Sequence, residues 1–365
     1  MDAARLRSSF PVLERTAYLN AGTCGPVPTA AQHAAAEAWR FGAQEGRTGA
    51  FYERLLALSG QLRERYARLL GAAPADVALT SGTSDGCGRV IAGLDLGPGD
   101  EVVCADDEHP GLQGPLVAAR ERRGVTIRTG PPAELPGLVG PKTKLVACSH
   151  VSWHSGAVAP VPELAAIARD GVPVLLDGAQ GAGALPVDVG ALGVSFYAAS
   201  GQKWLCGPVG SGMLWVDPAW QPRLAAHAAA YMNLAEPARG LDSGLAEGAR
   251  RFDVPSQDLA TIAAAVCAFD VLDEAGFDAV HARATALAGQ LATQLRELGH
   301  DVVARGPTTL VSWAVDGDAE ALAVRDRLAA EGVLIRDLPG AGRLRASVGA
   351  WNDEDDLQRL LAALA

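Results

Sequence analysis

Within VLLDGAQGAGALPVDVGALGVSFYAASGQKWLCGPVGSG, residues 174–212, two ionisable side chains occupy settings unlike an ordinary surface. Asp177 closes an apolar run that reads as a buried strand. Lys203 follows about one short helix and one strand later, in a turn between Ser200-Gly201 and a Gly/Pro-rich loop. A lysine amine condenses with an aldehyde to an imine and afterwards moves protons. A carboxylate facing a pyridine nitrogen keeps that nitrogen protonated, so that the ring accepts electrons. A pyridoxal phosphate (PLP) site requires both. Taken singly, Asp-Gly is a common turn dipeptide and a lone lysine is most often a surface residue. Their order, with glycines beside both, favours the chemical reading.

Further candidates cluster around other strand ends. SGTSDG (81–86) follows the apolar Val77–Thr80 run. Gly82 permits close backbone approach, and Thr83 and Ser84 offer hydroxyls and N–H groups at a helix start, where the dipole favours an anion. No GK[ST] follows, so this is not a Walker A loop. The bland reading is an ordinary helix cap. His109, in DDEHPG, is placed to stack on a ring or to relay a proton; alone it reads equally as a loop histidine. His150 and His154 frame SHVSWHSG, where Trp153 is either a pocket wall or a core aromatic. In GRLRASVGAWN, Arg345 and Arg343 share one strand face. A guanidinium matches a carboxylate in a bidentate fork and so suits an amino-acid substrate; the alternative is a surface ion pair.

The elements that must position these residues are legible from periodicity. Helices are expected over 29–45, 47–70, 111–123 and 162–170. Strands are expected at Val77–Thr80, Glu101–Ala105, Val125–Arg128, Lys144–Ser149, Val172–Leu176, Ser195–Ala199 and Ser211–Trp215. The alternation argues for an α/β domain with a mostly parallel central sheet. Beyond about residue 255 the texture changes to long helices at 258–274 and 277–298. Strands near 300–304 and 308–315, a helix at 318–331, strands near 333–336 and 343–348 and a closing helix at 353–364 follow. This is a smaller α+β C-terminal domain. The expected division is an N-terminal segment (1–20) packing with the small domain, a large domain (21–255) and the small domain (256–365).

The 365 residues carry a formal net charge of −11. An acidic chain without a Lys/Arg cluster repels phosphate backbones, which argues against nucleic acid. Cys24, Cys87, Cys104, Cys148, Cys206 and Cys267 form no CxxC pair, so a disulfide framework or metal site is not expected. No apolar stretch is long enough for a membrane span, and a cytoplasmic location is expected.

These residues resemble the class V aminotransferase-like PLP enzymes, the group of cysteine desulfurases, isopenicillin N epimerase and kynureninase. Within that group they are most similar to the L-cysteine/cystine C–S lyase branch. The resemblance runs from YLNAGTCGPVPT through EHPG, GPKTKLVACSHVSWHSGAVAPV, VLLDGAQGAGALPVD, YAASGQKWLCGPVGSG and ARRFDV to RASVGAWN. It implies the PLP-dependent transferase fold type I. It also implies that Lys203 is the Schiff-base lysine, Asp177 the pyridinium partner, Gln180 a donor to the ring phenolate oxygen and His109 the imidazole on the ring face. Gly82, Thr83, Ser84, Ser200 and Gln202 would hold the phosphate, with Ser256 donated by a neighbouring subunit of a homodimer. Arg345 would anchor the substrate carboxylate, with Asn20, Gly22 and Trp153 lining the pocket. Three departures stand out. Gln202 replaces the usual His before the lysine. Trp153 replaces the asparagine of desulfurases. The DLPGAGRL loop (337–344) lacks the cysteine that desulfurases use to accept sulfur. The implied activity is β-elimination from cystine, cysteine or a cysteine conjugate (sulfoxides included) to pyruvate, ammonia and a sulfur product. An epimerase or aminotransferase outcome starts from the same carbanion and stays open. A non-catalytic relative would ordinarily have lost Lys203 or Asp177.

Overall fold

The computed structural model describes residues 1–365. Seven strands form the main sheet: β2 (Val77–Thr80), β3 (Glu101–Ala105), β4 (Thr126–Gly130), β5 (Thr143–Ser149), β6 (Val174–Asp177), β7 (Phe196–Ser200) and β8 (Gly212–Val216). Their order is β2-β8-β7-β6-β5-β3-β4, and only β8 runs against its neighbours. Strands β5 to β8 are almost wholly buried and read as continuous apolar runs, the pattern of a sheet covered on both faces. One face packs against α4 (Thr83–Gly93) and α5 (Pro110–Arg123). The other carries residues of α3 (Gly49–Leu69), α7 (Val161–Arg169) and α9 (Leu259–Ala275), with α2 (Thr29–Gln44) laid along α9. Short helices α6 (Leu135–Leu138) and α8 (Val189–Leu192) complete this layer.

A second sheet has the order β11-β12-β9, with β9 (Leu310–Ala314), β11 (Arg336–Leu338) and β12 (Arg343–Ser347) all antiparallel. It shares a separate core with α10 (Phe277–Glu297), α11 (Gly317–Ala330) and α12 (Glu354–Leu364). Three features differ from the sequence reading. The strand expected near 300–304 is a single bridge, Val302 to Trp313. The strand expected at 333–336 is two: β10 (Val333–Leu334) leaves the sheet to pair with β1 (Ala17–Tyr18), while Arg336 joins β12. Helix α9 lies beyond residue 255 yet buries Leu259, Ile262, Val266, Phe269 and Leu272 in the core of the large sheet.

The N-terminal segment is tied to the second sheet. Beyond the β1–β10 pair, Arg7, which lies in α1 (Ala3–Ser8), makes a two-pronged bond to Asp356 at 2.7 and 3.1 Å. Asn20 bridges Ser347 in register. The segment therefore delivers residues 20–25 to the junction of the two sheets. No helix is long and apolar enough to cross a membrane.

Candidate active site

Because β8 opposes its two neighbours, β2 runs parallel to β7, and the C-terminal ends of β2, β3, β5, β6 and β7 share one edge. That edge is where open α/β sheets bind ligands. It gathers Gly82–Ser84 after β2, His109 after β3, Trp153 after β5, Asp177 and Ser200 at the ends of β6 and β7, and Lys203 after β7.

Gly82 caps α4 with φ of 151°, which only glycine adopts without strain, and no side chain satisfies the first N–H groups of that helix. Around this bare terminus the hydroxyls of Thr83 and Ser200 and the amide oxygen of Gln202 are buried without partners. Buried polar atoms are rarely left unpaired. A phosphate fits this set: it accepts from hydroxyls and helix N–H groups, and rotation of the Gln202 amide turns its NH2 toward the same point. Ser84 is exposed at the start of the helix.

Asp177 is buried, and one oxygen accepts from the Ala179 N–H at 2.9 Å. Burial raises its pKa and nearby Lys203 opposes that rise. Burial lowers Lys203 to about 8, with Asp177 opposing and Arg345 reinforcing the shift. Gln180 is fully engaged on one side, accepting from Trp204 Nε1 at 2.9 Å and donating to Gly22 O at 2.8 Å, which leaves one amide hydrogen free.

The His109 ring accepts from the Gly111 N–H through Nδ1 at 2.9 Å. Its proton therefore sits on Nε2. Burial, then the charges of Lys203 and Arg336, lower its pKa to about 4. The ring meets Trp153 edge-on at 5.0 Å between centroids. The loop bearing it is clamped by residues that the sequence did not single out. Glu108 accepts from Ser149 N at 2.7 Å and Ser149 Oγ at 2.6 Å, and Asp107 accepts from Ser152 Oγ at 2.8 Å. Trp153 Nε1 donates to Asp107 O at 3.0 Å. Burial pushes Glu108 up to about 8.

Arg345 is 1% exposed. Its Nη1 donates to Trp153 O at 2.8 Å, its Nε has no partner, and no carboxylate pairs with it. Burial and Arg336 lower its pKa to about 9. A buried guanidinium without an anion is costly unless a ligand supplies one. A Cβ on Gly22 would stand 2.7 Å from Ser347 Oγ and 2.9 Å from Arg345 Nη2, so a side chain at position 22 would displace one of these groups. Asn20 accepts from Thr23 Oγ1 at 2.7 Å beside them.

Ser256 is the one expected residue set apart. It lines a separate concavity with Arg47, Tyr52 and Tyr231. Glu108 and Arg336, missed by the sequence reading, had only adjacency to His109 and spacing from Arg345 to signal them.

The structure is similar to known ones along its whole length. It superposes with a TM-score of 0.92 on the cystine C–S lyase C-DES in complex with its reaction product cysteine persulfide, at 30% identity, covering 97% of this chain and 98% of that one. Cysteine desulfurase CsdA from Escherichia coli shares the fold, with a TM-score of 0.87 at 23% identity over 100% of this chain and 98% of that one. A probable cysteine desulfurase of Pseudomonas aeruginosa is 33% identical over 342 residues, 83% of this chain and 80% of that protein. Isopenicillin N epimerase of Streptomyces clavuligerus is 33% identical over 220 residues, 55% of this chain, and the match spans about half (53%) of the epimerase's own length. The model of the family described as aminotransferase class-V matches residues 47–360. With that match over most of the chain, and fold type I in the sheet, the chain belongs to the class-V aminotransferase family of PLP-dependent enzymes.

Proposed function

We infer that the chain is a PLP-dependent carbon–sulfur β-lyase acting on cystine, cysteine or a cysteine conjugate, sulfoxides included, with pyruvate, ammonia and a sulfur product released. The observation that carries this reading is the β11–β12 hairpin. Its connection, Pro339–Gly342, contains no cysteine and is pinned by Asp318, which accepts from Gly340 N at 2.7 Å and Gly342 N at 2.8 Å. A thiol that collects sulfur from the substrate would need both a cysteine and freedom of movement here. The likeness to a cystine C–S lyase over nearly the whole chain supports the same reading.

When bound, PLP supplies an electron sink that acidifies the Cα–H bond of an amino acid and lets a group on Cβ depart. Asp177, whose second oxygen has no partner, would hold a proton at the ring nitrogen. The Thr83, Ser84 and Ser200 hydroxyls, Gln202 and the Gly82 turn grip the phosphate. Gln180 donates its free amide hydrogen to the ring oxygen. Arg345 takes the substrate α-carboxylate in a bidentate fork, with Asn20, Gly22 and Trp153 walling that position. Lys203 holds the cofactor and then removes the Cα proton. Its lowered pKa keeps a useful fraction of the amine neutral. His109, neutral with its proton on Nε2, hands that proton to the departing sulfur.

The reading includes a homodimer. Trp39, Tyr52, Leu56 and Tyr231 are each at least half exposed, and Tyr52 and Tyr231 border the concavity of Ser256. Exposed aromatics grouped this way mark an interface, and a second copy seated there receives Ser256 at its phosphate. We propose the division 1–20, 21–255 and 256–365 along the sequence, with α9 of the last unit packed into the core of the large sheet, and a reducing cytoplasmic setting that suits six unpaired thiols. A panel of sulfur amino acids scored for pyruvate tests the activity. Pyruvate without added keto acid is expected. Turnover only with a keto acid would make the protein an aminotransferase, and racemisation with deuterium uptake at Cα but no pyruvate would make it an epimerase.

A further inference from the structure

Tyr197 on β7 reaches toward His150, the residue after β5, and Tyr197 Oη lies 3.0 Å from His150 Nδ1. Both residues are buried, and neither side chain makes another hydrogen bond. Burial lowers His150 to about 4 and raises Tyr197, so both are neutral. The phenol therefore donates and Nδ1 accepts, with the imidazole proton on Nε2. Strand β6 lies between β7 and β5 in the sheet. The bond thus crosses the end of β6, where the chain leaves Asp177 for Gly178, and the loop that follows rests on it. A Cβ on Gly178 would overlap the Tyr197 ring and stand 2.6 Å from its oxygen. A Cβ on Gly181 would overlap the same oxygen and stand 2.7 Å from His150 Nδ1. The backbone repeats the arrangement: His150 N donates to Asp177 O at 2.8 Å, and Gly178 N donates to Ala198 O at 2.7 Å.

Packing alone does not require this pair. Two apolar side chains of the same shape fill such a space at little cost, because no donor or acceptor is then buried. A fully satisfied buried polar pair instead rigidifies what lies on it. Here that is the stretch between the Asp177 carboxylate and the Gln180 amide. The turn over the bond closes with Gly181 N donating to Gly178 O at 2.9 Å. We propose that Tyr197 and His150 are positioning residues for the cofactor ring: their bond seats the 177–181 loop so that Asp177 and Gln180 address the ring nitrogen and the ring oxygen together. This rests on the ring contacts assigned above to those two side chains. Both contacts lower the basicity of the imine at Lys203. A protonated ring nitrogen withdraws electrons from it, and a hydrogen-bonded ring oxygen attracts its proton less. A loop that slackens weakens both contacts, and the imine becomes more basic.

Three variants test it. Tyr197→Phe deletes the hydroxyl and keeps the ring beneath Gly178. His150→Leu removes the acceptor, and His150→Asn restores one where Nδ1 stood. In the holoenzyme, the pH midpoint of the imine absorbance band is expected to rise by about half a unit or more in Tyr197→Phe and His150→Leu. In His150→Asn it is expected to return most of the way to the wild-type value. Midpoints within about 0.1 unit of wild type in both Tyr197→Phe and His150→Leu would overturn the proposal. Hydrogen–deuterium exchange on the cofactor-free protein reads the loop directly. Amides 178–182 are expected to exchange about tenfold faster in those two variants, with α11 unchanged. Equal exchange in the loop, or a rise across the whole chain, would overturn the seat. If Gln180→Leu leaves the imine titration unmoved, the ring contact assigned to Gln180 fails, while the exchange measurement still decides whether the pair seats the loop.

Discussion

Lys203 and Arg345 are ionisable groups that the fold has stripped of water, and their behaviour follows from that. The Lys203 amine attacks an aldehyde only when neutral. With its pKa near 8, the rate at which the cofactor-free protein captures PLP is expected to rise with pH up to about 8 and then level. An ordinary lysine would keep gaining rate until about pH 10.4. Stopped-flow absorbance of the imine band across pH 6–10 checks this. Lys203→Ala is expected to abolish that band and to lower kcat by about 10³-fold or more. For Arg345→Ala, loss of a charged two-pronged bond worth about 1.5–3 kcal/mol is expected to raise KM roughly 10- to 100-fold. The stability of the fold should hold or improve, because the variant removes a buried cation that has no counter-ion. Steady-state kinetics beside thermal melting separates the two effects. His109, near pH 4, is neutral throughout the neutral range, so an acid limb of the rate profile near pH 6.5 would contradict its assigned role.

Elements reach their places through a small number of polar ties that span the chain. Asp253, from the ARRFDV segment, accepts from Arg63 at 3.0 and 2.6 Å and from Leu79 N at 2.9 Å. It thus joins α3, β2 and the connection ahead of α9. Strand β2 leads straight into the Gly82 turn, so the tie also sets the proposed phosphate cradle. Asp253→Ala strands Arg63 in a site where it is only 14% exposed. A loss of about 3 kcal/mol in unfolding free energy is expected, with weaker PLP retention; denaturant titration and the dissociation constant of PLP measure the two. The Glu108 clamp works similarly on the loop of His109. Glu108→Gln keeps a partner for both Ser149 groups, because Ser149 Oγ then accepts from the amide. Glu108→Ala removes both bonds. The alanine variant alone is expected to loosen the Trp153 contact, read as a shift in tryptophan emission.

At the scale of the molecule, the proposed homodimer would add Ser256 of a second copy to the phosphate site and cover the exposed Trp39, Tyr52 and Tyr231. A species of twice 37.6 kDa is expected in sedimentation. Replacing Trp39 and Tyr52 by Glu sets unpaired charge into the proposed interface. The expected result is a folded monomer that binds PLP more weakly, since Ser256 then reaches no neighbouring phosphate. A monomer with unchanged PLP affinity would remove Ser256 from the site.

The sequence by itself determined the large sheet and the order of its site residues. Buried strands are continuous apolar runs, and a parallel strand must deliver its last residue to one edge, so Asp177, Ser200 and Lys203 were readable as neighbours before any contact was known. The glycine at 82 was readable for the same local reason, since a turn at a helix start needs one. Only the tertiary structure decided the pairings made across long separations. The Ala17–Val333 register, the Arg7–Asp356 tie, the Glu108–Ser149 clamp and the Arg336–Arg345 face-off leave no periodic trace, because each joins residues whose local conformations are compatible with many partners. The strand expected at 333–336 divides for that reason: at Ile335 the chain passes from a partner near the N-terminus to one in the C-terminal sheet. Hydrophobic alternation encodes which face of a strand is buried, not which distant strand will lie beside it.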